Sequence, residues 1–333
     1  MTDNGLVWAA LRATRAEPPA GIKADRRKTY VAALEQAQQM FTAAATIGVA
    51  TRPLLLFYGL SQGGRAIAAA AKDVPDKDYR LVGHGIKVNQ STLGGPIADI
   101  HIYGDNSAKG SFTRLSRILK SSSWDDTAPV SLGELWNSLP EGSTFALDHS
   151  LGGFPLSANV DEFSVVSEAE NAPPVRLAVS GIPADMMPSS QPATLTPALQ
   201  GLLDRYPTLA GYTKIDITGI FPGSQRGTVH LTYPSSHTDF SGRTADALIH
   251  CTLYGMHERY AFPAVGANTD SQHPVMAWWA VLFALSMLAR YHPEAWASHI
   301  AVDQSSAAVP IEQLLTAALT TVPELLLRTI LDV

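Results

Sequence analysis

Residues 52–72 read RPLLLFYGLSQGGRAIAAAAK, and the conformation of this stretch decides which kind of fold the chain can have. An apolar run at 54–58 leads into a glycine-rich segment and then into an alanine-rich one. A run this short fits either a buried strand or the first turns of a long helix, because periodicity does not separate the two. The choice matters for Ser61, which would stand in a turn in the first case and on a helix in the second.

The sequence on both sides of this stretch predicts helices towards the two ends of the chain. Apolar residues recur at steps of three and four from 27 to 49 and from 274 to 290, which is the period of an amphipathic helix. Ser131 and Glu134 fit a capping box, in which a hydroxyl and a carboxylate satisfy the free amides at a helix start. The other predicted helices lie at 111–119, 132–139, 311–319 and 323–331.

The middle of the chain predicts strands, and together with the helices they indicate an α+β fold. Terminal helices are expected to pack as a bundle, and a β-rich middle module is expected between them in the sequence. Short strands are expected at 82–102, and further strand candidates lie at 175–179, 214–218, 227–232 and 261–265. The expected segments are an N-terminal arm at 1–25, a helical part with short strands at 26–150, the β-rich module at 151–270, and C-terminal helices at 271–333 that pack on the N-terminal helical part.

Composition excludes several classes of protein. Hydrophobic residues make up 46% of the 333 residues, which is enough for a core and too many for wholesale disorder. The net charge of −6 argues against a globally basic nucleic-acid binder. Small basic groups do occur, and we expect them to be solvated faces; they are 26–28 and the trio Arg114, Arg117 and Lys120.

Cysteine content and hydropathy indicate a cytoplasmic protein. Cys251 is the only cysteine, so no internal disulfide is possible, and its apolar neighbours predict a buried, inert thiol. No signal peptide is visible at the N-terminus, which also favours a reducing compartment. The most apolar run, at 276–289, is short and is followed by Arg290, so we expect no membrane contact.

The first candidate for chemistry is Ser61, because residues 59–63 match the G-x-S-x-G nucleophile elbow. Such a serine sits in a strained turn between a strand and a helix, where backbone amides form an oxyanion hole. By chain order alone, Asp239 or Asp246 with His250 or His257 would complete a triad. Too few residues precede the motif for an α/β-hydrolase sheet, so a glycine turn at a helix start is the preferred interpretation.

The second candidate is a ribonuclease site of the HEPN type, in which an arginine and a histidine on one helix converge on an RNA phosphate. Arg243 and His250 match the widest spacing of that pattern, while Arg80 and His84 are one residue too close. Matches of this kind arise by chance in a chain of this composition, so surface and packing roles are preferred.

Metal and nucleotide-cofactor motifs are missing from the sequence. Cys251 has no cysteine partner, and Pro234 interrupts the evenly spaced histidines that would otherwise share a helix face. There is no P-loop, and no G-x-G-x-x-G follows a predicted strand. We therefore expect no metal and no cofactor.

Two segments resemble the YaaC-like family, a poorly characterised bacterial family without an agreed biochemistry. The first is RPLLLFYGLSQGGRA at 52–66, followed by His84-Gly85, and LGELW at 132–136 also fits. The second and more specific one is PVMAW at 274–278 with LSMLARYHPEAW at 285–296. The resemblance implies that the tyrosine–glycine and glutamine positions recur while those of Ser61 and Gly63 vary, which counts against a nucleophile elbow.

The resemblance, and the cost of burying an unpaired polar group, single out a set of binding candidates. Mutual pairing that fixes helix packing is the preferred role for them, with a functional site as the alternative. The candidates are Tyr58, Gln62, Arg65, His84, Arg290 and Tyr291.

The function predicted from the sequence is that of a subunit in a bacterial multiprotein assembly, acting through protein partners and with nucleic acid as a further partner at a local patch. Anti-phage defence is the candidate setting, because the tyrosine-bearing helix resembles those of HEPN-like proteins. The alternatives are a HEPN-like ribonuclease and a serine hydrolase using Ser61, so whether the chain is an enzyme stays open.

Overall fold

The structure is a computed structural model, and the stretch at 52–72 proves to be largely helical. The structure describes residues 4–19, 22–75, 78–105, 109–122, 124–148, 153–161, 175–188, 195–212, 214–218, 226–237, 239–255 and 257–333. Within them the helices are α1 Asn4–Ala16, α2 Ala24–Thr46, α3 Arg52–Ala70, α4 Ser111–Ile118, α5 Leu132–Asn137, α6 Pro140–Thr144, α7 Pro197–Leu203, α8 Phe240–Leu248, α9 Pro274–Tyr291, α10 Pro293–Ile300 and α11 Ala308–Asp332. The strands are β1 Ile86–Val88, β2 His101–Gly104, β3 Val130–Ser131, β4 Leu156–Val160, β5 Arg176–Pro183, β6 Lys214–Thr218, β7 Arg226–Thr232, β8 Thr252–Tyr254 and β9 Glu258–Ala261.

These elements confirm the predicted α+β fold, with terminal helices packed together and a β-rich middle. The chain divides into a first unit, residues 1–153 with 265–333, and a second unit, residues 154–264. The predicted β-rich module at 151–270 overlaps the second unit, and its predicted start at 150/151 lies outside the described residues.

The first unit is built around α3 and α9. α9 is apolar on all sides, and its side chains Trp278 and Trp279 are fully buried. α3 packs on α2, α9 and α11, and the glycines of the 52–72 stretch permit this close approach. A Cβ at Gly63 would lie 2.5 Å from Leu326 of α11, and one at Gly64 would lie 2.5 Å from the Trp279 ring. The glycine-rich segment therefore serves helix packing rather than a turn.

A three-stranded antiparallel sheet, in the order β1-β2-β3, completes the first unit. The capping box predicted at the start of α5 is confirmed, because Ser131 Oγ accepts from the Glu134 amide at 3.2 Å and the Glu134 carboxylate accepts from the Ser131 amide at 3.3 Å.

Three sequence predictions in the first unit are wrong. Residues 4–16 form α1 rather than an arm, and Trp8 packs on Phe41 with ring centres 5.7 Å apart. The two helices expected at 311–319 and 323–331 are a single α11, which accommodates Pro323 in its interior despite the cost of a lost backbone hydrogen bond. Arg26, expected on a solvated face, is only 6% exposed.

Among the described residues, two helices of the first unit are long and apolar enough, by composition, to cross a membrane. They are Pro274–Tyr291 and Ala308–Asp332, and 78% and 56% of their most apolar windows are buried within the protein. A core helix of a globular protein has the same composition, so length and hydropathy do not assign either helix to a membrane.

The second unit is a six-stranded antiparallel sheet in the order β6-β7-β5-β4-β9-β8. Alternate residues of β5, such as Leu177 and Val179, are buried, and α7 contributes Leu199 and Leu202 to the same core. The strands predicted at 175–179, 214–218 and 227–232 are found as β5, β6 and β7. The strand expected at 261–265 is misplaced, since β9 ends at Ala261.

Candidate functional site

The two sides of α3 differ in chemistry. Tyr58, Gln62 and Arg65 follow one another at steps of four and three residues, so they share one side of the helix. Tyr58 is exposed, whereas Gln62 and Arg65 are half-buried. The tightly packed glycines 59, 63 and 64 occupy the other side of the helix.

The last turn of α9 reaches this polar side of α3. Arg290 Nη1 donates a hydrogen bond to Tyr58 Oη at 3.1 Å. The Arg290 guanidinium also lies 5.0 Å from the centre of the Tyr291 ring, within cation–π range. Two tyrosines from different helices thus hold one exposed arginine.

A loop fastened to the start of α4 carries His84. Gly83 and Gly85 have φ values of +67° and +72°, a conformation that favours glycine. Ser111 Oγ donates to the Gly83 carbonyl at 2.6 Å, and the Phe112 amide donates to the His84 carbonyl at 2.9 Å. The backbone of His84 is therefore fixed on both sides, and its position does not depend on the side chain.

The His84 ring rests on the aromatic edge of the core. Its centre lies 5.9 Å from that of Phe57 on α3 and 5.5 Å from that of Phe283 on α9. The two rings, which themselves contact each other at 5.3 Å, form an apolar floor beneath the imidazole. As a whole, the residue is exposed.

The electrostatic surroundings of His84 link it to both arginines. Partial burial lowers the pKa of His84, the positive charges of Arg290 and Arg65 lower it further, and Asp105 opposes them. The imidazole is therefore neutral at pH 7, next to two guanidinium groups. Such a set can accept a proton at the imidazole and bind an anionic group at the arginines.

The structure thus brings together residues from three separate segments of the sequence. We call this group the α3–α9 cluster, and its members are Tyr58, Arg65, His84, Arg290 and Tyr291. Gln62 lies on the same side of α3. Sequence reasoning missed the apolar floor and the opposing Asp105, although the Gly-His-Gly at 83–85 is a local signal for a histidine presented on a tight loop.

Both interpretations of the Ser61 motif are wrong: it is neither a nucleophile elbow nor a glycine turn at a helix start, because residues 59–64 lie inside α3. Ser61 lies in the interior of α3, with helix on both sides, so the strand–turn–helix context that exposes a nucleophilic serine is absent. The neighbouring Gly59 and Gly63 are explained by packing against Phe41 and Leu326.

The HEPN-type hypothesis placed Arg243 and His250 on one helix, and the structure separates them. α8 ends at Leu248, so His250 lies beyond the helix that carries Arg243. Arg243 is only 7% exposed and within electrostatic reach of Asp239, whereas His250 Nε2 lies 3.2 Å from Tyr233 Oη. The two side chains belong to different surroundings and do not present one joint surface.

Arg80 is directed to its neighbour in sequence rather than to His84. Its Nε donates to Tyr79 Oη at 3.4 Å, and its guanidinium lies 5.7 Å from the centre of that ring. Cys251 is buried as predicted, and burial raises the pKa of its thiol. Within the described ranges, no three His, Cys, Asp or Glu side chains are grouped so that they could hold a metal ion.

Fold and site together define an α+β protein with a helical unit, an inserted β-sheet unit and a cationic, aromatic cluster on the helical unit. A model of the YaaC-like protein family matches residues 9–330, so the chain belongs to that family. Neither the curated proteins nor the solved structures contain a significant match.

Proposed function

We propose that this protein is a non-catalytic binding subunit of a bacterial multiprotein assembly, and that the α3–α9 cluster contacts the partner protein. The proposal rests on the observation that Tyr58 and Tyr291 flank the exposed Arg290 on one surface. The two tyrosines are 38% and 52% exposed. Tyrosine and arginine are the residue types that most often dominate binding energy at protein interfaces.

The cluster is also organised in advance of binding. Arg290 is held by the Tyr58 hydroxyl and the Tyr291 ring, so less side-chain entropy is lost when a partner binds. Arg65 and Arg290 give the surface positive charge, while His84 stays neutral near pH 7. A partner segment that carries a carboxylate group between apolar residues fits this chemistry.

The setting that we propose is a cytoplasmic anti-phage defence assembly. The cytoplasmic part rests on the single cysteine, which is buried and unable to form an internal disulfide. The defence part rests on the likeness of the tyrosine-bearing helix to HEPN-type helices.

The test is affinity purification of the tagged protein from its native host, after nuclease treatment, with mass spectrometry of what is retained. We expect a near-stoichiometric partner with the wild type and its loss with the double variant Tyr58→Ala/Arg290→Ala. Lys28→Ala, an exposed cation on α2, is the matched control and should keep the partner. Recovery of the wild type alone, or equal recovery with the double variant, would contradict the proposal.

A second candidate function, RNA cleavage, is favoured by one observation: the His84 imidazole, which packs on Phe57 and Phe283, lies within electrostatic reach of two guanidinium groups that lower its pKa. In this scheme His84 accepts the proton of a ribose 2′-hydroxyl, whose oxygen attacks the phosphorus and forms a 2′,3′-cyclic phosphate. The bond from phosphorus to the 5′-oxygen breaks, and the leaving 5′-oxygen takes a proton from water, while Arg65 and Arg290 bind the phosphate. This version of the HEPN-type hypothesis replaces Arg243 and His250 by residues of the α3–α9 cluster.

This candidate is tested by incubating end-labelled RNA with the wild type, His84→Ala and His250→Ala. Cleavage by the wild type and by His250→Ala, but not by His84→Ala, is the expected pattern. Cleavage that survives in His84→Ala would remove the cluster from consideration as a nuclease site.

A further inference from the structure

A cavity of about 650 Å³ lies in the first unit, between the turn that follows α3 and the last turn of α4. Sites for small molecules usually have volumes in this range. Part of its wall is apolar and consists of Ala71, Val74, Pro75 and Ile118. No member of the α3–α9 cluster lines it, so the cavity is separate from the proposed binding surface.

Cations dominate the charged part of the wall. Arg114 is already paired with Asp78, because it lies 3.6 Å from the Asp78 carboxylate and donates to the Asp78 carbonyl at 3.0 Å. Across the described part of the chain, the other lining cations have no ion pair or side-chain hydrogen bond; they are Lys72, Lys109, Arg117 and Lys120. The lining side-chain carboxylates besides Asp78 are those of Asp73 and Asp332, and Val333 lines the wall as well. Among side chains, cations therefore exceed carboxylates by five to three in a protein of net negative charge.

Lys120 adopts a conformation that costs energy. Its φ is +51°, and among the described non-glycine residues it alone has a positive value. It follows the end of α4, where the Ser121 amide bonds the Ser116 carbonyl at 2.9 Å and the Lys120 amide bonds the Arg117 carbonyl at 3.3 Å. This is the Schellman arrangement, in which the position of Lys120 normally belongs to glycine. A lysine here bears strain and places a cation in the cavity wall.

The C-terminal ends of α3, α4 and α11 border the cavity, and their partial negative charge opposes an anion wherever it is not offset. At the end of α3 this is done by the buried Arg26, whose Nε donates to the Ala69 carbonyl at 3.0 Å and whose Nη1 donates to the Val74 carbonyl at 2.9 Å. At the end of α4, the Schellman hydrogen bonds occupy the carbonyls. The free cations of the wall are therefore left to act on a ligand.

We infer that this cavity binds a phosphorylated small molecule of nucleotide size. Arg117 and Lys120 bind the phosphate oxygens, because guanidinium and ammonium groups supply charge-assisted hydrogen bonds. Val74 and Ile118 contact the apolar face of the ligand body. The site would add a ligand-responsive element to the helical unit, independent of the partner surface.

Isothermal titration calorimetry of the full chain with adenosine 5′-diphosphate tests this site. We expect saturable binding below about 1 mM, and an affinity at least about tenfold lower in Lys120→Gly and in Arg117→Gln. Lys28→Ala, a cation outside the cavity, should bind as the wild type does. Lys120→Gly should melt at the same or a higher temperature, because glycine relieves the strained backbone, so its lost binding cannot be attributed to unfolding.

Titrations with inorganic phosphate and with a short RNA oligonucleotide complete the design. Weaker binding of phosphate than of the nucleotide is expected if the apolar wall contributes. Three results would overturn the inference: no saturable binding of the nucleotide, binding that both cavity variants retain, or binding of the RNA without binding of the nucleotide.

Discussion

The two units use arginine and histidine in opposite ways. In the helical unit, Arg290 and His84 come from distant segments, and at the surface the charge of Arg290 lowers the pKa of His84. In the β-sheet unit, Arg243 and His250 are seven residues apart in the sequence, yet one is buried on α8 and the other sits beside Tyr233. Proximity along the chain was therefore a poor guide to a joint site, and the position of helix ends and loops decided the outcome.

The largest expected difference between the two units concerns their helix glycines. Gly64→Ala places a Cβ 2.5 Å from the Trp279 ring and 2.9 Å from Leu115, so we expect a loss of about 3 kcal/mol in the free energy of unfolding. Gly201→Ala on α7 meets nothing within 4 Å and should instead stabilise by about 0.5–1 kcal/mol. Chemical denaturation of both variants measures the difference, and similar effects of the two would refute close packing as the role of the α3 glycines.

Acid sensitivity should distinguish the helix starts of the two units. Burial lowers the pKa of His273 to about 4, and its Nδ1 accepts the Val275 amide as the cap of α9. Between its ordinary value near 6.5 and about 4, the unfolded chain binds a proton that the folded chain excludes, so stability falls as pH falls. The expected loss is about 2–3 kcal/mol.

The measurement is the free energy of unfolding at pH 7 and pH 4.5 for the wild type and His273→Asn, which keeps a capping oxygen. The variant should show a smaller loss between the two pH values. The start of α8 is capped by the Asp239 carboxylate, whose pKa is lowered by its hydrogen bond to the Gly242 amide, so it stays charged over this interval. An unchanged pH dependence in His273→Asn would count against a buried, neutral imidazole.

The two arginines should differ in what their removal costs. Arg243→Ala removes a side chain that is 7% exposed and should cost about 2 kcal/mol of stability, because buried partners lose their contacts. Arg290→Ala removes an exposed side chain and should cost less than about 1 kcal/mol. Equal losses in thermal or chemical unfolding would break the distinction between a packing arginine and a surface arginine.

Much of the fold could be predicted from the sequence, because most long helices and several strands carry a clear hydrophobic period. The failures have physical causes. The arm at 1–25 was wrong because α1 is stabilised by packing of Trp8 on Phe41, which a local pattern does not reveal. The break expected at Pro323 did not occur because the buried side of α11 continues through that residue.

The sequence identified residues of the candidate site, but it did not predict how they are arranged in space. Tyr58 and Arg290 were singled out as costly polar groups on apolar helices, and the structure joins them by a hydrogen bond. The G-x-S-x-G pattern around Ser61 was a false indication of a catalytic serine, because glycines required for helix packing give the same sequence pattern as a nucleophile elbow. The apolar floor of Phe57 and Phe283 depends on tertiary contacts that no spacing rule contains.

The central claim is that His84 and the two arginines form one electrostatic site, and the pKa of His84 measured by NMR on histidine-labelled protein tests it most directly. We predict a value below the ordinary 6.5 that rises towards it in Arg290→Gln and in Arg65→Gln. Arg80→Gln, the neighbouring arginine that contacts Tyr79 instead, should leave it unchanged. A His84 that titrates near 6.5 and responds to neither arginine would contradict the account.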